Sequence, residues 1–154
     1  MNRIGIIGAM DEEVDILVEL MDIKETIEKA SLKFYKGTLE GKDIVLVRCG
    51  IGKVNSALCA QILISEFDVD AIVNTGVAGA LHSELDVLDM VISTDAIQYD
   101  VDTTAFGDPK GTIPRMESSV FVADEKLINA AYESSIKEMK SNKVLKGRVA
   151  TGDI

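Results

Sequence analysis

The stretch Arg3-Ile4-Gly5-Ile6-Ile7-Gly8-Ala9-Met10-Asp11-Glu12-Glu13 decides the fold. Its first six residues are short, β-branched and closed by glycine, the pattern of a strand buried on both faces in mid-sheet. Three acids follow at once, then Val14, Leu17, Val18 and Met21 at helical spacing. Acids in a first turn suit the positive end of a helix dipole. A buried strand feeding a helix without a linker is the opening of an α/β layer fold.

Working outward, Lys33–Leu39 and Asp43–Cys49 read as two strands joined by Glu40-Gly41-Lys42, a hairpin with glycine in the tight turn. Gly50-Ile51-Gly52 ends the second. From Lys53 to Phe67, Val54, Ala57, Leu58, Ile62 and Leu63 recur with helical period and predict a broad apolar face packed on a sheet. Ala71–Asn74 is another buried strand, Met90–Thr94 a fifth, and Val144–Thr151 one more. Asp124 caps a predicted helix whose stripe is Leu127, Ile128, Ala131, Ser135, Ile136 and Met139. Between them, Asp95–Ser119 lacks periodicity and holds Pro109 and Pro114, as a functional or interface loop would. Strands alternating with helices predict a mostly parallel, mixed sheet, in which ligands gather at the carboxyl ends of the strands.

Composition narrows the function. The 154 residues are 47% hydrophobic and 27% charged, enough apolar content for one domain with a core and too much for a disordered segment. A net charge of -10 repels phosphate backbones and anionic lipid, which argues against nucleic-acid and membrane partners. The longest apolar runs are too short for a signal sequence or a bilayer span, so a cytoplasmic location is expected. Cys49 and Cys59 lack CxxC spacing and read as buried free thiols.

Three glycine-rich turns end strands: Gly8-Ala9-Met10, Gly50-Ile51-Gly52 and Thr75-Gly76-Val77-Ala78-Gly79. None fits a dinucleotide fingerprint or a P-loop. His82 is the only histidine, and no Cys/His/Asp cluster has metal-ligand spacing, so neither a metal nor an organic cofactor is predicted. Carboxylates are the better chemical candidates. Projected on a helical wheel, Glu12 points away from the stripe of Val14, Leu17, Val18 and Met21, while Asp11 and Glu13 flank it. The pattern leaves Asp11 and Glu13 tied.

Five motifs then converge. Ile4-Gly5-Ile6-Ile7-Gly8-Ala9-Met10-x-Glu12-Glu13, Gly50-Ile51-Gly52-Lys53-Val54-Asn55, Asn74-Thr75-Gly76-Val77-Ala78-Gly79, Asp102-x-Thr104-x-Phe106-Gly107 and Thr151-Gly152-Asp153 resemble, in order and spacing, the 5'-methylthioadenosine/S-adenosylhomocysteine nucleosidases of the purine nucleoside phosphorylase and uridine phosphorylase superfamily. The resemblance implies a three-layer α/β/α fold and hydrolysis of the N-glycosidic bond of a thioether nucleoside, releasing adenine and a thioribose in methionine salvage. By the resemblance, Glu13 is the carboxylate that helps hold the attacking water, which breaks the tie with Asp11. Ala9 and Met10 then border ribose and water, Ile51 walls the alkylthio pocket, and Val77, Ala78 and Gly79 form the ribose and water loop. Val77 stands where the family often has serine. Phe106 corresponds to an aromatic that reaches into a partner's alkylthio pocket, implying a homodimer. Tyr99, Asp108 and Thr112 replace the His, Tyr and Gln common around that loop.

In that family the acid aspartate, the Met-Glu ribose clamp and the base-stacking Phe-Ile come after the Gly-Asp pair, and no such segments follow Asp153 here. The expectation is a single nucleosidase domain over 1–154 lacking the family's C-terminal part, with little or no activity from these residues alone. Two alternatives stand beside it. One is a phosphate-dependent nucleoside phosphorylase, disfavoured by Asp11, Glu12 and Glu13 at the first turn, where Arg48 is the nearest cation in prospect. The other is an inactive fragment that only binds nucleoside or dimerises.

Overall fold

In the computed structural model, which describes residues 2–154, β1 (Arg3–Gly8) runs parallel to and between β4 (Lys42–Arg48) and β5 (Ala71–Asn74), as its apolar run predicts. The chain divides into two units, Met1–Ala78 and Gly79–Ile154. The first also holds α1 (Asp11–Leu20), β2 (Asp22–Lys29), β3 (Leu32–Leu39) and α2 (Lys53–Phe67). Its sheet has the order β2-β3-β4-β1-β5, with β2, β3 and β4 joined antiparallel.

The strand period of two builds this unit's three layers. On one face, Ile44 and Leu46 of β4 pack with Val14 of α1 and with Met21; on the other, Val45 and Val47 meet Cys59, Leu63 and Phe67 of α2. Phe34 of β3 lies on the α2 face, stacked on Phe67 with ring centroids 4.9 Å apart. Cys49 and Cys59 are both buried and free, as expected. The β2–β3 contact requires glycine at 37, because a Cβ there would lie 2.1 Å from the Asp22 carbonyl oxygen, beside a register shift between Ile23 and Glu25.

The second unit contains β6 (Met90–Gln98), a 3-10 turn (Thr104–Phe106), β7 (Val120–Val122), α3 (Glu125–Glu138) and β8 (Val144–Thr151). Its sheet order is β7-β6-β8, with β6 and β8 parallel and β6 and β7 antiparallel. α3 packs on β6 and β8. Asp124 caps it as predicted, accepting the Leu127 N–H at 3.0 Å. The mixed α/β architecture read from the alternation of elements is therefore present, with parallel and antiparallel pairs in both sheets.

Several local expectations change. The buried face of α2 is Cys59, Leu63 and Phe67; of the predicted face only Leu63 is buried, while Val54, Ala57 and Leu58 face solvent. This helix is apolar on nearly every side, so its period cannot select a face. β5 is half-buried to exposed rather than buried, being the edge strand of its sheet. β6 extends to Gln98 and shortens the irregular segment expected from Asp95. Among the described residues no helix is long and apolar enough to cross a membrane.

Candidate active site

The parallel pairing of β4, β1 and β5 puts their carboxyl ends on one edge of the sheet. The three glycine-rich turns that follow are therefore neighbours. Backbone bonds fix the alignment: the Cys49 N–H donates to the Gly8 carbonyl at 2.9 Å and the Thr75 N–H to the Ile7 carbonyl at 2.9 Å.

Glu13 ties two of these turns together. It sits in the first turn of α1, and its Oε2 accepts the backbone N–H of Ala9 at 2.6 Å and of Met10 at 3.1 Å. Its Oε1 accepts the N–H of Val77 at 2.9 Å, 64 residues along the chain. Partial burial pushes the Glu13 carboxyl upward. The N–H groups of Val77, Ala9 and Met10 act against it and together hold the group below the usual glutamate value of 4.5. The helix N-terminus adds to the same tendency. A carboxylate has about four lone-pair sites, so three N–H donors leave about one, on Oε1.

Asp11 and Glu13, which the helical wheel leaves tied, point to different places: only Glu13 turns into the strand-end turns. Asp11 turns to the surface and pairs with Arg48, Nε to Oδ1 at 2.8 Å, both half-exposed.

The turn after β4 is tied back on itself. Gly50 and Gly52 adopt φ of 84° and 105°, conformations costly for other residues, and the Asn55 side-chain amide donates to the Ile51 carbonyl at 2.7 Å. The Ile51 side chain is left 74% exposed on the turn. Val77, 79% exposed, follows the same logic, with its N–H fixed and its side chain free. Ala78 follows it, exposed, at the end of the first unit.

Gly79 and Phe106 fall in the second unit. There the Asp102-x-Thr104-x-Phe106-Gly107 motif is a capped turn. Asp102 Oδ1 accepts the Thr104 hydroxyl at 2.7 Å and its N–H at 3.1 Å, and Gly107 closes the turn with φ of 97°. Those Thr104 bonds, the hydroxyl first, hold the Asp102 carboxyl below its usual range. The turn presents Phe106 88% exposed. The Thr151-Gly152-Asp153 motif is also packed: a Cβ at Gly152 would lie 2.8 Å from the Tyr99 ring, and the Asp153 N–H donates to Asp100 Oδ2 at 2.8 Å. His82 is an exposed loop residue, as expected. Among the described residues no three His, Cys, Asp or Glu side chains converge as a metal ion requires.

Sequence reasoning gave no role to Asn55 or Gly76, although both stand in quoted motifs. An Asn three residues after a Gly-Ile-Gly turn could have been read as a side-chain tie to that turn.

Residues 3–154 match the model of the phosphorylase superfamily. The chain belongs to that superfamily. This member is 47% identical over 151 residues to a 5'-methylthioadenosine/S-adenosylhomocysteine nucleosidase of Anoxybacillus flavithermus, which covers 98% of the chain and 64% of that relative. Among solved structures, the superfamily member resembles the nucleosidase of Neisseria meningitidis in complex with methylthio-immucillin-A, with a TM-score of 0.93 and 37% identity over 100% of the chain and 66% of the other. The nucleosidase of Colwellia psychrerythraea in complex with adenine gives a TM-score of 0.91 and 42% identity over 99% of the chain and 62% of the other. The likeness read from the five motifs is thus borne out. The chain spans somewhat under two thirds of the length of these proteins.

Proposed function

We propose that the protein carrying this chain hydrolyses the N-glycosidic bond of 5'-methylthioadenosine and S-adenosylhomocysteine, giving adenine and the thioribose product, a step of methionine salvage. One observation carries the reading: Glu13, ionised at neutral pH, bridges the turns after β1 and β5 and keeps a single acceptor site on Oε1. A sugar leaving group departs through an oxocarbenium-like transition state, and water must be held against the anomeric carbon as positive charge develops there. Water adds across the bond, hydroxyl to the anomeric carbon and proton to adenine. The Glu13 carboxylate orients that water and stabilises the developing charge, while Ala9 and Met10 border the ribose and Ile51 the alkylthio group. Val77 and Ala78, with Gly79, form the loop beside ribose and water.

The nucleoside analogue and the adenine held by the two solved relatives support a small thioether nucleoside as partner. A homodimer is supported by the 88% exposure of Phe106 and by the bare apolar side of α2 at Val54 and Leu58. A single superfamily match spanning both units supports reading them as parts of one nucleosidase domain. Acidic charge and the lack of a membrane-crossing helix among the described residues fit a cytoplasmic enzyme.

The test is adenine release from methylthioadenosine in phosphate-free buffer, with Glu13→Gln in parallel. The expected result is a free thioribose without added phosphate and a loss of about 10²–10⁴-fold in the variant, the range of a lost acid–base or water-positioning group. Release that depends on phosphate and yields a sugar 1-phosphate would replace hydrolysis with phosphorolysis.

A further inference from the structure

We propose that Gly76 is a positioning residue for Glu13: the missing side chain at 76 is the space through which the carboxylate reaches from α1 to the Val77 N–H. A Cβ on Gly76 would lie 2.4 Å from Glu13 Oε1, 2.8 Å from its Cδ and 3.1 Å from Oε2, and these three nearest atoms all belong to Glu13. Gly76 is not among the glycines with positive φ, so its backbone would accept alanine and the demand for glycine is spatial. It differs in this from Gly50 and Gly52, where conformation is the demand.

Gly8 marks the other side of the same passage. A Cβ there would meet Val14 Cγ1 at 2.6 Å and Glu13 Cβ at 3.1 Å, so Gly8 lets α1 seat against β1 while Gly76 lets the end of the Glu13 side chain through. The two glycines act at different costs to the fold. A methyl at Gly8 strikes a buried valine, whereas a methyl at Gly76 strikes the tip of a flexible side chain. Gly76→Ala is therefore tolerated by the fold and paid in the position of the carboxylate.

The inference rests on the reading of Glu13 as the water-holding carboxylate for its importance, though not for its test. In Gly76→Ala, the Glu13 carboxyl, followed by NMR titration, moves up toward the ordinary glutamate range because the Val77 donor is lost. The Val77 amide exchanges roughly tenfold faster or more, as loss of a hydrogen bond to a charged acceptor predicts. In the protein carrying this chain, kcat falls much more than KM changes, because the orientation of water matters most in the transition state.

A Glu13 titration and a Val77 exchange rate unchanged in Gly76→Ala would overturn the proposal. Should that variant fold poorly, the methyl is placed in a Glu13→Ala background. There it should cost no stability, since the side chain it strikes is gone. An equal loss of stability with and without Glu13 would show that Gly76 serves the backbone, and would also overturn the proposal. Failure of the catalytic reading is separate, because full activity in Glu13→Gln would leave both NMR readouts of Gly76→Ala as they are.

Discussion

The two units are nearly equal in length and unlike in construction. Met1–Ala78 contains twelve of the buried apolar residues among those described, while Gly79–Ile154 contains one, Val144. The first sheet is covered on both faces by its own helices, with Val14 and Met21 on one and Cys59, Leu63 and Phe67 on the other. The second sheet has three strands and one helix, and none of the α3 residues is buried. Among the described residues, the packed core is thus concentrated in the unit that holds Glu13. A carboxylate that must meet three backbone N–H groups within about 3 Å needs strand ends that do not move, and a core packed on both faces supplies them.

The sharpest way to break this contrast is Leu46→Ala. Leu46 is fully buried between β4 and α1, and its truncation is expected to cost about 2–5 kcal/mol through lost burial and the cavity left behind. Both thiols lie in the first unit, and burial together with the nearby Cys49 pushes the Cys59 thiol up to about 12. Thiol labelling therefore reads the opening of the first unit alone. Faster labelling in Leu46→Ala supports the contrast; labelling at the unaltered rate would mean that the first unit does not depend on this core.

Next in size is Gly37→Ala, which would drive a methyl into the Asp22 carbonyl at 2.1 Å. Backbone must move to relieve it, at an expected cost of about 1–3 kcal/mol, measured by urea unfolding. The β2–β3 pair is the least apolar part of the first unit, so this variant asks whether the edge of that sheet is bound into the core's unfolding transition. A separate early loss of β2 and β3 amide protection would show that it is not.

Much of this architecture was legible in the chain because burial leaves a period. β1 is marked by β-branched residues closed by glycine, the β3–β4 hairpin by two strand-like runs around Glu40-Gly41-Lys42, and α3 by Asp124 and its stripe. β2 was not, since Asp22–Lys29 is mostly exposed and exists through its pairing with β3 rather than through any apolar pattern of its own. β7 is three residues long and likewise depends on a neighbour. The face of α2 stayed hidden because apolar residues surround the helix. At the site, the turns were legible as glycine at strand ends, but pattern alone does not say which carboxylate, Asp11 or Glu13, turns toward them. That depends on where three N–H groups from two distant segments converge, and on Arg48 waiting for Asp11. Gly76 was invisible for the same reason, because its meaning lies in an atom 63 residues away in sequence.

The smallest expected effect contrasts, by pH, the loops of the second unit with the core strand of the first. In the second unit the Asp89 carboxyl is held below its usual value of 3.8 by the N–H groups of Asp86 and Lys143, and Asp102 by the hydroxyl and N–H of Thr104. A carboxyl lowered by folding stabilises the fold fully above its unfolded value, and that contribution fades as pH falls through the lower folded value. These loop contacts should therefore loosen only below the ordinary carboxylate range, seen as movement of the Thr104 and Lys143 amide signals in an acid titration by NMR. The Asp95–Arg148 pair, whose Nε–Oδ1 bond is the main cause that lowers Asp95, should also weaken with added salt. The Val45, Leu46 and Val47 amides of β4, whose core neighbours are apolar, should hold their signals through the same range. If β4 responded before Thr104 and Lys143, the first unit would be the more fragile of the two, and a core buried on both faces would not be what holds Glu13 in place.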